Sequence, residues 1–250
     1  MAAIFRPIAA VSPHPKHISA ATRVPAMANA VVCSMMEKRK FPVFLFDVMD
    51  TIVRDPFYHD IPAFFKYTFK KLLLSVMSMK ELLDEKHPTA WVEFEKGFID
   101  ETELAKKFFK DGRSFDLEGL KECLRRGYSY VDGIEELLHV LKQNNYELHA
   151  FTNYPVWYKM IEEKLKLSKY LSWTFSSCII GKRKPSPDSY AEVIHRLNIA
   201  PTSCIFIDDR VTNVEAAVNA GMVGIHFKNS DSLKQDLSLV GVELAVLNSK

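Results

Sequence analysis

Cysteine is scarce in this chain of 250 residues, and Cys33, Cys123, Cys178 and Cys204 stand at no paired spacing. That argues against a disulfide framework or a thiolate zinc site and reads as scattered buried thiols. Long apolar runs are missing too. No stretch approaches the roughly twenty residues needed to span a bilayer, which argues against an integral membrane protein. An excess of charge of one sign is also absent, with 33 basic against 31 acidic residues and a formal net charge of +2. So balanced a body gives no electrostatic case for binding nucleic acid. There is no internal repeat and no low-complexity segment.

The most localised absence is of acid at the start of the chain. Residues 1–36 hold Arg6, Lys16 and Arg23 but no Asp or Glu before Glu37, so removing those three from the 33 basic residues leaves 30 against 31 acids. A segment rich in Ala, Ser and Pro with isolated basic residues is the composition of an organelle transit peptide, removed from the mature protein. Pro7, Pro13, Pro15 and the isolated charges interrupt the candidate apolar h-regions, which speaks against a secretory signal. A disordered tail is the alternative reading of the same residues.

What is present is ample apolar material, 48% of the chain, for one domain or a domain carrying a sizeable insertion. Val43-Phe-Leu-Phe46 reads as a buried strand. After Met49 the period changes, and 56–130 reads as helices with no strong strand, an inserted lid. Within it Gly97 is a turn residue, Asp100 a helix cap, and Leu104, Phe108 and Phe109 an apolar face. Lys66 to Lys80, with Leu72-Leu73-Leu74, reads as an amphipathic helix facing the core. From Val131 onward strand and helix alternate, which favours a parallel sheet with helices on both faces. Asp132 is expected to cap a helix bearing Ile134, Leu137, Leu138 and Leu141. Tyr146–Phe151, Cys204–Ile207, Gly224–Phe227 and Leu244–Leu247 are the further strands. Ser186-Pro187-Asp188 opens a helix, and Val214–Ala220 is a helix closed by Gly221.

The first strand breaks at Asp47, where a carboxylate has no place unless it faces a ligand or metal. Three more segments follow in order: Phe151-Thr152-Asn153, Lys182-Arg183-Lys184-Pro185, and Ile207-Asp208-Asp209 running on to Asn213. In a parallel sheet, ligands gather at the carboxyl ends of the strands, so Asp47, Thr152 and the Asp208-Asp209 pair would converge, with Lys184 reaching in from its loop. A phosphate monoester repels a carboxylate nucleophile, so a divalent cation and a fixed lysine are needed to hold both together. Magnesium suits an oxygen set of Asp47, Asp209 and the backbone carbonyl of Met49, with Asp208 a further candidate ligand.

Those four segments in that order resemble the haloacid dehalogenase superfamily of aspartate-nucleophile hydrolases, from about Phe41 nearly to the C-terminus. The resemblance implies an α/β fold, a Rossmann-like doubly wound parallel sheet core with an inserted helical cap. The core would be 37–55 with 131–250, and the cap 56–130. It also implies that Asp47 attacks phosphorus to form an aspartyl-phosphate, that Thr152 binds the phosphoryl group beside Asn153, that Lys184 neutralises nucleophile and phosphate, and that Asp209 binds Mg2+. Glu95 and Lys96 on the cap are the expected substrate contacts. Trp91, Phe94, Tyr154 and Trp157 read as core or lid packing rather than as ring-stacking groups.

The pattern departs from phosphatases at Met49, where the general acid for the leaving alcohol usually stands. Asp50, one residue on where glycine is usual, should project differently. Asp50, Glu95 or water are the candidate substitutes. The departure leaves open a dehalogenase-type hydrolase, or a non-catalytic binding protein with the same fold. Within the superfamily, Phe46-Asp-Val-Met-Asp-Thr-Ile-Val-Arg-Asp-Pro-Phe57, Phe151-Thr-Asn-Tyr-Pro155 and Gly181-Lys-Arg-Lys-Pro185 are similar to the plant flavin mononucleotide (FMN) hydrolases. This implies hydrolysis of FMN to riboflavin, in the chloroplast stroma. The stretch Lys66 to Met79 is longer than expected for a first lid helix of that kind.

Overall fold

The structure is a computed structural model that describes residues 41–60, 80, 84–114 and 116–244. The transit-like segment 1–36, most of the Lys66–Lys80 stretch and Ala245–Leu247 of the last expected strand lie outside the described residues.

In chain order the elements are β1 (Val43–Phe46), α1 (Pro56–His59), α2 (Ala90–Glu95), α3 (Glu101–Lys107), α4 (Leu117–Gly127), α5 (Ile134–Gln143), β2 (Glu147–Thr152), α6 (Tyr158–Leu165), β3 (Ser172–Ser176), α7 (Ser177–Ile180), α8 (Pro187–Leu197), β4 (Cys204–Asp208), α9 (Val211–Asn219), β5 (Val223–His226) and α10 (Ser230–Leu239). The strands form one parallel sheet in the order β3-β2-β1-β4-β5. Each strand crosses to the next through helix, as parallel pairing requires. No described helix is long and apolar enough to cross a membrane.

β1 is apolar at every position because both faces of the sheet are covered. Phe44 and Phe46 pack on one side with Leu148, Ala150, Ile205 and Ile207, while Val43 and Leu45 pack on the other with Phe151, Tyr190 and Phe206. Each such ring, fully buried, is worth on the order of 1.5–3 kcal/mol. The chain builds outward from β1 in one direction to β2 and β3, then returns to lay β4 and β5 on the other side. β1 therefore stands at the topological switch point, and the crevice beyond its carboxyl end is where such sheets bind ligands.

Several local expectations are revised. The helix after Val131 is preceded by Gly133 at φ 73 with no side-chain cap, not by Asp132; the tight left-handed turn is one that glycine adopts freely. Ser186 stands at the predicted N-cap but its side chain makes no capping bond. The helix ending before Gly221 begins at Val211, three residues earlier than expected. The strand Ser172–Ser176 escaped prediction because serines at its ends and a half-buried Trp173 leave no apolar run. Asp100 does cap α3, in a reciprocal box with Glu103.

The segments that leave and re-enter the sheet region around 56–130 are hydrogen-bonded to each other. Arg54 N donates to Ser129 O at 2.9 Å and Val131 N to Ile52 O at 2.9 Å. Between them α2 carries Trp91 and the buried Phe94, whose ring lies 5.0 Å from that of the buried Trp157 at the start of α6. The cap is anchored to the sheet side by the Ser177 hydroxyl, which donates to the Glu95 carbonyl.

Candidate active site

Register decides which side chains meet. Phe46 lies level with Ala150 on β2 and Ile207 on β4, so the next residues, Asp47 and Asp208, emerge side by side. The Asp47 amide donates to Ile207 O at 2.8 Å, carrying the pairing past the end of β1. Thr152 ends β2 in the same crevice.

Lys184 binds this group together. It is 1% exposed, and its Nζ donates to Asp47 Oδ1 at 2.8 Å and to Asp208 Oδ2 at 2.6 Å. Burial alone would lower the ammonium pKa, but the carboxylates of Asp208 and Asp47 outweigh it and hold the group charged. The loop bearing Lys184 is fixed by Asn153, whose Oδ1 accepts from Lys184 N and whose Nδ2 donates to Lys184 O, both at 2.8 Å. Asn153, expected as a substrate contact, thus spends its amide on positioning the lysine.

The adjacent acids divide their labour. Asp208 is fully buried and accepts from Lys184, from the Arg210 amide at 2.8 Å and from Asn213 Nδ2 at 3.0 Å to each oxygen. A carboxylate has about four lone-pair positions, and these donors fill them. Asp208, a candidate ligand from sequence, is therefore a holder of Lys184 and Asn213. Asp209 is half-buried, and its pKa is pushed up to about 6 by burial and then by Asp208. Asp47 is likewise raised, chiefly by burial, against the pull of Lys184. Oxygens of Asp47, Asp208 and Asp209 lie within 4.8 Å of one another. An all-oxygen set whose carboxylates are costly to ionise unaided fits a hard divalent cation, with Asp47 and Asp209 as the acids left to hold it and Met49 among the residues lining the same space.

A cavity of about 250 Å³ opens above these residues. Its floor includes Thr152, whose buried Oγ1 has no hydrogen-bond partner among the described residues. An orphaned buried hydroxyl calls for a ligand acceptor. Met49 and Asp50 border the floor. Asp50 stands at φ 54, which explains why glycine would suit this position, and its Oδ1 accepts from Asp55 N at 2.9 Å. Its carboxylate is thus bound into the turn.

The cap contributes Glu95 but not Lys96. Glu95 lines the cavity, accepting from Trp91 Nε1 at 2.7 Å and pairing with Arg183 Nη2 at 2.9 Å; its pKa is raised by burial and opposed by Arg183. Lys96 is outside the lining, its Nζ 5.5 Å from the centroid of Phe98. Of the four aromatics read as packing, Trp91 and Tyr154 also line the cavity. Tyr154 is tied up, its hydroxyl 2.6 Å from that of Tyr128. Arg183, Lys86 and Phe57 are lining residues that sequence reasoning did not single out. The basic pair flanking Lys184 and the Pro56-Phe57 helix start were the only signals for two of them.

This constellation is the signature of a family of aspartate-based hydrolases. Residues 41–221 match the haloacid dehalogenase-like hydrolase family, and the chain belongs to it. It is 62% identical over 209 residues to flavin mononucleotide hydrolase 1 of Arabidopsis thaliana, named as chloroplastic, covering 84% of this chain and 81% of that one. It is 26% identical over 187 residues to a sesquiterpene phosphatase of Aspergillus oryzae, covering 70% of this chain and 91% of that protein. Among solved structures, a haloacid dehalogenase family enzyme of Bacteroides thetaiotaomicron in complex with magnesium and inorganic phosphate shares the fold at TM-score 0.59 and 18% identity, covering 76% of this chain and 96% of that one. A Bacillus subtilis hydrolase of the same family, bound to magnesium, does so at TM-score 0.60 and 19% identity, covering 80% and 100%.

Proposed function

We propose that this chain is a magnesium-dependent phosphoric monoester hydrolase that converts FMN to riboflavin and phosphate, and that it works in the chloroplast stroma. The observation that carries the reading is Asp47. One of its oxygens is held by Lys184, the other accepts no hydrogen bond from a described residue, and Asp209 and the partnerless Thr152 hydroxyl stand beside it. The 62% identity to the Arabidopsis enzyme supports the substrate, and the acid-free residues 1–36 support the compartment.

In this mechanism Lys184 and Thr152 hold the phosphoryl oxygens while the free oxygen of Asp47 attacks phosphorus. The P–O bond to the ribityl oxygen breaks, that oxygen takes a proton from water to leave as riboflavin, and an acyl phosphate remains on Asp47. Water then attacks phosphorus, restoring the carboxylate and releasing inorganic phosphate. Bound Mg2+ would offset the repulsion between the two anionic reactants, held by Asp47, Asp209 and the Met49 carbonyl. Proposed domain bounds follow the hydrogen-bonded crossing at Arg54 and Ser129, with the core on either side of a cap at 56–130.

The test is phosphate release from FMN by purified residues 37–250, with magnesium and after exhaustive chelation. Turnover with metal and its loss on chelation are expected. No phosphate from FMN or any simple monoester by metal-loaded protein would overturn the reading and favour the dehalogenase or binding alternative.

A further inference from the structure

The cap side of the cavity differs in chemistry from its floor. Trp91 is half-buried, and its indole is fixed rather than loosely packed: Nε1 donates to Glu95 one turn along α2, and Glu95 is locked in turn by Arg183 Nε at 3.1 Å and Nη2 at 2.9 Å. Behind the ring stand the buried Trp157 at 5.8 Å and Phe94 at 6.0 Å between centroids, both near edge-on, and Phe57 lies 6.0 Å away at 35°. Next to this wall runs a short antiparallel contact in which His87 N donates to Phe108 O and Lys110 N to Glu85 O, setting Lys86 opposite Phe109. Lys86 lines the cavity and forms no ion pair with a described residue.

We infer that this wall is the seat of a planar heteroaromatic leaving group, with Trp91 as the specificity-determining residue and Glu95 as the residue that positions its indole. The inference rests on the phosphomonoesterase reading and extends it to the part of the substrate remote from phosphorus. A rigid aromatic face held by a hydrogen bond and an ion pair offers stacking area at little entropic cost. Lys86 excludes a purely aliphatic occupant. A terpenoid chain would desolvate that ammonium and give it no acceptor, whereas the carbonyl and ring-nitrogen edge of a flavin supplies one.

The experiment compares wild type with Trp91→Leu, which keeps apolar bulk, and Trp91→Phe, which keeps a ring. FMN and glycerol 3-phosphate are used as substrates, and riboflavin binding is followed by quenching of its fluorescence. Trp91→Leu is expected to raise KM for FMN and Kd for riboflavin about tenfold, and to lower the preference for FMN over glycerol 3-phosphate by about the same factor, the size of one ring-stacking contact. Trp91→Phe should keep most of both. Unchanged riboflavin affinity in a natively folded Trp91→Leu protein overturns the seat, as does an equal loss on both substrates or the absence of riboflavin quenching by wild type. If FMN is cleaved but riboflavin affinity ignores Trp91, the seat falls and the function stands. If riboflavin binds through Trp91 but FMN is not cleaved, the seat stands and the function falls.

Discussion

The floor and the cap wall of one cavity are built on opposite plans. On the floor, Asp208, Asn153 and Asn213 spend their polar atoms on holding Lys184 and one another, and the Asp47 and Thr152 oxygens are left over. In the wall, rings rest on rings, and the polar links run sideways from Trp91 through Glu95 to Arg183. The floor is fixed by strand register, so its chemistry belongs to the fold. The wall is fixed by side-chain packing, so its selectivity can change without disturbing the sheet.

The sharpest way to separate the two is to remove the nucleophile alone. Asp47→Asn should cost at least about a thousandfold in kcat, as loss of an attacking group does, while leaving riboflavin affinity intact. Stability should move little: the substitution relieves repulsion with Asp208 and Asp209 but also weakens one bond from Lys184, which keeps Asp208. Steady-state kinetics and circular dichroism decide it. Substantial turnover by the folded variant would dismiss Asp47 as nucleophile.

The same division explains what could be read in advance. Asp47 and Asp208 were visible because apolar strands break at them, and Lys184 because it precedes a proline and a helix start. The sequence could not say which of two neighbouring acids faces the lysine, because that depends on pairing between β1 and β4. Nor could it show that Asn153, which lines the cavity, also grips the Lys184 backbone, a contact spanning 31 residues. In the cap, Glu95 and Lys96 are adjacent in sequence, but consecutive helical positions point about 100° apart, and only Glu95 lines the cavity. Trp91 was indistinguishable from Phe94 and Trp157, since all three are large rings in apolar patterns.

A second prediction concerns metal and pH together. Asp209 titrates near 6 in the folded chain and Asp47 is also raised, both above the ordinary 3.8. A carboxyl whose folded pKa is raised stabilises the fold fully below its unfolded value and loses that contribution as pH rises through the folded one. The metal-free protein should therefore lose stability from this cluster between about pH 4 and 7. Magnesium binds the ionised acids, so its gain in Tm should be small at pH 5 and full above pH 7, about 5–10 °C at a hundredfold excess over Kd. Thermal scans with magnesium or chelator across that range test it. A gain as large at pH 5 as at pH 7.5 would show that these carboxyls are not what the ion binds.

The smallest effect is expected at Met49, where floor and wall meet. Asp50 is held at positive φ with its carboxylate on the Asp55 amide, so it is poorly placed to follow a leaving oxygen. Without a dedicated acid, the rate should depend on how well the leaving group tolerates negative charge, and aryl phosphates should turn over faster than ribityl phosphates at saturation. General acid help is worth about a hundred- to ten-thousandfold when ideally placed. Met49→Asp, in a half-buried position beside Asp47 and Asp209, should capture only part of it, on the order of tenfold, and for alkyl phosphates alone. Burial among acids would keep the new carboxyl protonated, as an acid must be. Comparing kcat for FMN and an aryl phosphate in both proteins reads the effect directly. An equal gain on both substrates would mean that the new group acts on the metal or the phosphate rather than on the leaving oxygen.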